Sequence, residues 1–213
     1  LVAQAFAEWK NAPCPGGGTP NFQVHFQGFV SCDRRQTVCG PSDENVNTIL
    51  FRDLDWPTDM PSVAGLTVPI GSTKSGFVID ADVALNSTYF NFDPSVSDGR
   101  QSVELIRVLT HELGHFLGLA HSDVDGALMS IYYNELPMGA SILSADDVDA
   151  ICAIYPPSAS PAVCEATSPA YDVCSDDEIS ATNPCALPAE TTEDSAAGCS
   201  IGKSAPLDGS RLV

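Results

Sequence analysis

Residues 111 to 121 read His-Glu-Leu-Gly-His-Phe-Leu-Gly-Leu-Ala-His, and this run narrows the folds open to the chain more than any other stretch. His111 and His115 are four apart, so on an α-helix they share one face, about one turn apart. His121 comes ten residues after His111; an unbroken helix would carry it about 15 Å along the axis, out of reach of the other two. A chain that brings the three together must leave the helix between His115 and His121. Gly118 is the residue able to do this, because glycine accepts positive φ at a helix C-terminus. Gly114, between the two helical histidines, reads as a residue kept small for close packing.

Three converging imidazoles can hold one Zn²⁺ at roughly 2.0–2.1 Å. Glu112 is turned about 100° from His111 around the axis, so it can border the metal's open side without being a ligand. There it can take a proton from a water whose pKa the ion lowers to about 7. The competing reading is a buried helix that carries histidines by chance. A bare His-Glu-x-x-His pair does arise that way, but the extended form with the glycine and third histidine is much more specific. Ile106, Leu109, Leu113 and Phe116 repeat at helical spacing before and through the run. With Asp98 as N-cap and Gln101 as its partner, the pattern predicts a helix from about residue 98 to about 117.

This run resembles the zinc signature of the metzincin metallopeptidases. Met129, in Ala127-Leu128-Met129-Ser130, resembles their Met-turn, a methionine that lies beneath the metal without binding it. Within the metzincins the likeness is closest to the matrixins, which also have serine after the third histidine, here Ser122. The segments Leu143–Tyr155 and Gly76–Asn86 resemble the matrixin C-terminal helix and a sheet strand of secreted bacterial matrixins. The resemblance covers roughly residues 1–156. It implies an α+β, metzincin-like catalytic domain with a twisted mixed sheet, an active-site helix and a C-terminal helix, lacking the strand that precedes the first helix in matrixins. It implies a secreted zinc-dependent endopeptidase in which His111, His115 and His121 hold the ion and Glu112 is the general base. The strand near Gly65–Ile70, with Leu66 on it, would be the cleft rim where an extended substrate adds as a β-strand. Tyr133 falls where matrixins build the wall of the primary specificity pocket, and Arg107 where a pocket residue sits; the other reading of Arg107 is a solvated helix residue.

The chain also departs from the matrixin pattern. Outside the motif only His25 remains, so the second, structural zinc of vertebrate-type matrixins is expected to be absent. The loop 71–76 is short for the usual calcium site; Asp80 and Asp82 could bind calcium, or be solvated acidic residues on a strand. Ile131 stands where some metzincins add a tyrosine ligand. No Pro-Arg-Cys-Gly switch is present, so latency would come from an upstream propeptide or an inhibitor.

The composition changes near Pro156-Pro157 to Ser, Ala, Pro and acidic residues. The first 156 residues carry nineteen acidic and seven basic side chains, and the remainder nine and two, within a net charge of −19. Such acidity argues against nucleic-acid or anionic-membrane partners and reads either as solubility in a salty or extracellular medium or as a preference for cationic substrates. A protein or peptide substrate is what the resemblance implies. Residues 157–213 read as an acidic, cysteine-containing tail: a spacer, a small module, or a segment over the cleft. No run of 18 apolar residues spans a membrane. Gly198-Cys199 resembles a bacterial surface-sorting signal, though no apolar helix follows it.

Eight cysteines, none in a Cys-x-x-Cys pair, suit disulfides in an oxidising compartment. Cys32 and Cys39 enclose a short loop and are expected to pair; Cys14, ending the first helix, and Cys152, in the last, would then tie the two halves. Cys164, Cys174, Cys185 and Cys199 are left for the tail, in any of three pairings. Periodicity places a first helix over residues 1–10 and strands over 22–26, 47–54, 66–70 and 77–85, with His25 on the polar side of the first. A last helix is expected over 144–154. The functional expectation is peptide-bond hydrolysis. The alternatives are a catalytically inactive protease-fold surface or adhesion protein, against which Glu112 speaks, and a processing protease of narrow specificity.

Overall fold

The structure is a computed structural model and describes residues 1–26, 47–54, 56–71, 78–93, 99–132 and 143–159. Helix α1 spans Val2–Lys10, strand β1 Ile49–Phe51, β2 Gly65–Gly71 and β3 Val78–Leu85. Two short strands, β4 (Phe90–Asn91) and β5 (Gln101–Ser102), precede helix α2 (Leu105–Phe116), and helix α3 spans Ala145–Ile154. The larger sheet is mixed, in the order β1-β3-β2. β1 runs parallel to β3 and β2 antiparallel to it, with Thr67 opposite Val83 and Leu66 opposite Ala84. Among the described residues β2 is therefore an edge strand. The fold is α+β, with a mixed sheet and, among the described residues, three helices around one core.

Helix α2 lies in the middle of that core. It packs against α1 on one side and against β2 and β3 on the other. All eight residues from Arg107 to Gly114 are buried, so the helix is covered nearly all round rather than along one stripe. Trp9 of α1 is fully buried and donates its indole N–H to Thr110 O at 2.8 Å. Val108, Leu109 and Leu113 join Trp9, Leu128, Met129 and Ile151 in a single apolar cluster.

The helix starts later than its sequence pattern suggested. Its N-cap is Glu104, and its capping position makes no side-chain bond. Residues 101–102 instead pair in parallel with β4, and Val103 N donates to Asn91 O at 3.0 Å. A ladder thus takes the backbone that a first helical turn would have used, and Asp98 lies outside the described residues. The end of the helix falls as the glycine spacing required. Gly118 has φ of +93°. Gly118 N donates to His115 O and Leu119 N to Gly114 O, each at 2.9 Å, the two bonds of a Schellman turn. Tyr155 OH satisfies the further carbonyl of Leu117 at 3.0 Å.

Residues 22–26 form no strand among the described residues. Phe22 is buried and its ring lies 5.1 Å from Tyr155, while Lys10 Nζ bonds its carbonyl and Asn21 N donates to Tyr155 O. Side chains and the segment after α3 thus take backbone groups that a ladder would use. Phe26 is exposed, as is His25. Helix α3 opens with a reciprocal cap: Ser144 Oγ accepts from Asp147 N while Asp147 Oδ2 accepts from Ser144 N. Cys14 and Cys152 are joined by a disulfide that links the end of α1 to α3 across 138 residues of sequence. Cys32, Cys39 and the four tail cysteines lie outside the described residues.

Candidate metal centre

His111 and His115 project from consecutive turns of α2, and His121 follows the Schellman turn. One ring nitrogen from each lies within 4.8 Å of the others, the one such group of metal-capable side chains among the described residues. The ring centroids are 4.6 to 5.4 Å apart, and the Nε2 atoms of His115 and His121 are separated by 3.2 Å. Two nitrogens at tetrahedral positions about 2.05 Å from a zinc ion would stand about 3.3 Å apart, so this spacing fits what two zinc ligands would need.

The outer nitrogens are also arranged for this. His111 Nδ1 lies 2.6 Å from Leu128 O and His115 Nδ1 2.8 Å from Leu119 O. A carbonyl only accepts, so each Nδ1 carries the hydrogen and each Nε2 keeps its lone pair for a metal. Burial favours the uncharged rings. It lowers the pKa of His111 to about 3, aided by the charge of His115, and lowers those of His115 and His121. The donor set therefore fits a borderline-soft divalent cation such as zinc.

Glu112 is buried beside His111. Burial raises its pKa to about 7, opposed by a hydrogen bond from Thr67. Thr67 Oγ1 lies 2.6 Å from Glu112 Oε2 and 3.1 Å from Glu112 O. Gly65, two residues earlier on β2, lies against the same side chain; a Cβ there would sit 2.5 Å from Oε1.

Against His111 runs the turn of residues 127–130, all buried. Its position is set by Asp147 of α3, whose carboxylate is fully buried and accepts from Leu128 N (2.8 Å), Met129 N (2.9 Å) and Ser144 N (2.7 Å). Leu128 thus receives Asp147 on its N–H and His111 on its carbonyl. Ser122 N donates to Met129 O at 2.8 Å, and Ser122 Oγ to Asp146 Oδ2 at 2.6 Å. The Met129 side chain presses on α2 at Gly114, where an added Cβ would overlap Met129 Sδ and come within 2.8 Å of Trp9 Cζ2. Gly114→Ala gains about 1 kcal/mol of helix propensity but incurs an overpacking cost of about 1–3 kcal/mol, or more. The expected result is a net loss of up to about 2 kcal/mol in denaturant unfolding. A variant as stable as its parent would mean that Met129 shifts aside without strain.

The other expected site residues are placed less centrally. Arg107 is not solvated: it is buried and pairs with Glu104 at 3.2 Å. Its position on α2 among buried neighbours, one turn before His111, covers it. Leu66 is half-buried on β2, on the face opposite to Gly65 and Thr67 by strand alternation. Asp80 and Asp82 are both buried, not solvated, and Asp82 Oδ1 accepts from Thr48 N and Oγ1 at 2.8 and 2.7 Å. Tyr133 lies outside the described residues. Thr67, Gly65 and Asp147 carry no signature of these roles in the sequence; the serine three residues before Asp147, a capping-box pattern, is the one available sign.

Interstitial collagenase of Sus scrofa is 47% identical over 73 residues, which are 34% of this chain and 15% of that protein. The enzyme of the same name from Oryctolagus cuniculus is 45% identical over 88 residues, 41% of this chain and 17% of the relative. Stromelysin-1 of Equus caballus is 43% identical over 75 residues, 34% and 16% of the two chains. The matches thus span less than a fifth of each of these relatives. The family model for matrixins, a peptidase family, matches residues 36–156, more than half of the 213-residue chain. With its histidine cluster, its mixed sheet and that match, the chain belongs to the matrixin family.

Proposed function

We propose that the chain is a secreted zinc-dependent endopeptidase, with His111, His115 and His121 as the metal ligands and Glu112 as the general base. The observation that carries this reading is the convergence of three imidazole nitrogens within 4.8 Å, beside a buried glutamate that is not one of them. A zinc ion held there supplies Lewis acidity, which polarises a scissile carbonyl and makes water a nucleophile near neutral pH. Glu112 takes the proton of the attacking water on a carboxylate oxygen and returns it to the nitrogen of the leaving amine. Burial lifts its pKa, which suits a base that must later act as an acid, and a neighbouring cation opposes that lift. The edge of β2 offers backbone groups to an extended substrate, which would lie along it as an added strand. Leu66 and Arg107 are proposed as substrate-pocket residues with Tyr133, and Met129 as the floor beneath the ion.

Secretion is supported by the Cys14–Cys152 disulfide, which suits an oxidising compartment. No helix among the described residues is long and apolar enough to cross a membrane. The catalytic unit is proposed to be residues 1–156, with 157–213 a separate acidic tail. The test is cleavage of a denatured protein such as gelatin or casein by the full chain. Cleavage is expected to stop with a zinc chelator and to return when zinc is restored. Cleavage unaffected by metal removal, or none at all from a zinc-loaded chain, would overturn the proposal, the latter favouring the inactive-scaffold alternative.

A further inference from the structure

Glu112 is held from outside its own helix. The two contacts that fix its carboxyl group come from β2, 45 residues earlier in the chain for Thr67. Gly65 and Thr67 alternate on one face of that strand. Gly65 makes room, since a Cβ there would stand 2.5 Å from Oε1, 2.7 Å from Cγ and 2.8 Å from Cδ of Glu112. Thr67 supplies the donor. Its hydroxyl has one hydrogen and two acceptors in reach, Oε2 at 2.6 Å and the Glu112 carbonyl at 3.1 Å. The shorter contact takes the hydrogen. The strand itself is fixed by its pairing with β3, where Thr67 stands opposite the fully buried Val83.

We propose that Thr67 is a positioning residue for Glu112: its hydroxyl fixes Oε2, seats the carboxylate in the notch left by Gly65, and reserves Oε1 for proton transfer. This rests on the reading of Glu112 as general base. A base so held spends little time in rotamers from which it cannot reach the proton it must abstract. The device also joins the base to the strand on which the substrate is proposed to lie, so that substrate docking and base alignment share one element.

Thr67→Val keeps the side chain's shape and removes the donor; Thr67→Ser keeps the donor. In the full zinc-loaded chain, Thr67→Val is expected to lower kcat about 10- to 100-fold, the worth of one hydrogen bond to a charged group. KM should change by less than about twofold, zinc content should stay that of the parent, and Thr67→Ser should recover kcat to within about threefold. A Thr67→Val enzyme within about twofold of the parent overturns the proposal, as does a serine variant as impaired as the valine one. Should the valine variant fail to fold, Thr67→Ala gives the same comparison. Crystal structures of the parent and the donor-less variant give a readout independent of turnover. The Glu112 carboxylate is expected to leave its seat against Gly65, and an unmoved carboxylate overturns the role. A parent that binds zinc yet cleaves nothing, with Glu112 displaced in the variant, would remove the peptidase reading and leave the positioning role standing.

Discussion

Glu112→Ala is expected to cut turnover of a denatured protein substrate by about 10²–10⁴-fold, the usual contribution of a positioned general base, while zinc content stays at that of the parent. The structure separates these two readouts. Two of the three imidazoles that are proposed to hold the ion, His111 and His115, take orienting bonds from the backbone, at Leu128 O and Leu119 O. Removing the carboxylate therefore leaves those two rings where they are. Nor should it unfold the chain. Thr67 Oγ1 still has the residue-112 carbonyl at 3.1 Å as an acceptor, and the variant sheds a carboxyl group whose charged form burial disfavours. Normal turnover from a zinc-loaded alanine variant would refute the assigned role. Loss of zinc together with activity would show instead that Glu112 belongs to the metal's support.

Asp147→Ala is expected to destabilise the chain by about 3–5 kcal/mol, because it strands buried donors that each carry a desolvation cost of about 1–3 kcal/mol. That is a large share of a stability of about 5–15 kcal/mol. Three backbone N–H groups lose their acceptor, at Leu128, Met129 and Ser144. The loss does not stop at α3. The Leu128 peptide that Asp147 holds also presents the carbonyl to which His111 donates, so zinc affinity is expected to fall by about 10- to 100-fold, as for other outer partners of metal ligands. Denaturant unfolding and competitive zinc titration measure the two effects. Asp149, exposed on the same helix, is the control, and its alanine variant should lie within about 0.5 kcal/mol of the parent. Equal effects at positions 147 and 149 would mean that helix charge, not the clamp on the turn, accounts for the change.

The site was legible in the sequence where its geometry is local. The interval of four fixes His111 and His115 on one helical face, the interval of six to His121 requires a break, and Gly118 stands where the break must be. Glu112 was legible by adjacency, and Gly114 by its lack of a side chain where Met129 and Trp9 close in. What could not be read is what arrives from elsewhere in the chain. Thr67 meets Glu112 across a strand-to-helix contact for which the sequence has no period. Asp146, Asp147 and Asp149 look alike as letters, and only the direction each takes from α3 makes one of them a structural clamp. The solvated reading of Arg107 follows from how seldom arginine is buried; α1, β2 and β3 enclose α2 so fully that this side chain is buried all the same. The start of α2 is not legible because Gln101-Ser102 is drawn into a two-residue ladder with partners eleven residues away, a contact too short to leave a pattern.

The bond between Cys14 and Cys152 has a consequence for a chain that is proposed to cut polypeptides and that lives among copies of itself. Every peptide link from residue 15 to residue 151 lies inside the covalent ring this bond closes. One nick anywhere in that interval changes no mass beyond a water molecule and lets neither piece diffuse away. Self-digestion would therefore stay invisible on an unreduced gel and appear only after thiol treatment, and a singly clipped molecule would keep its histidines and its glutamate tethered together.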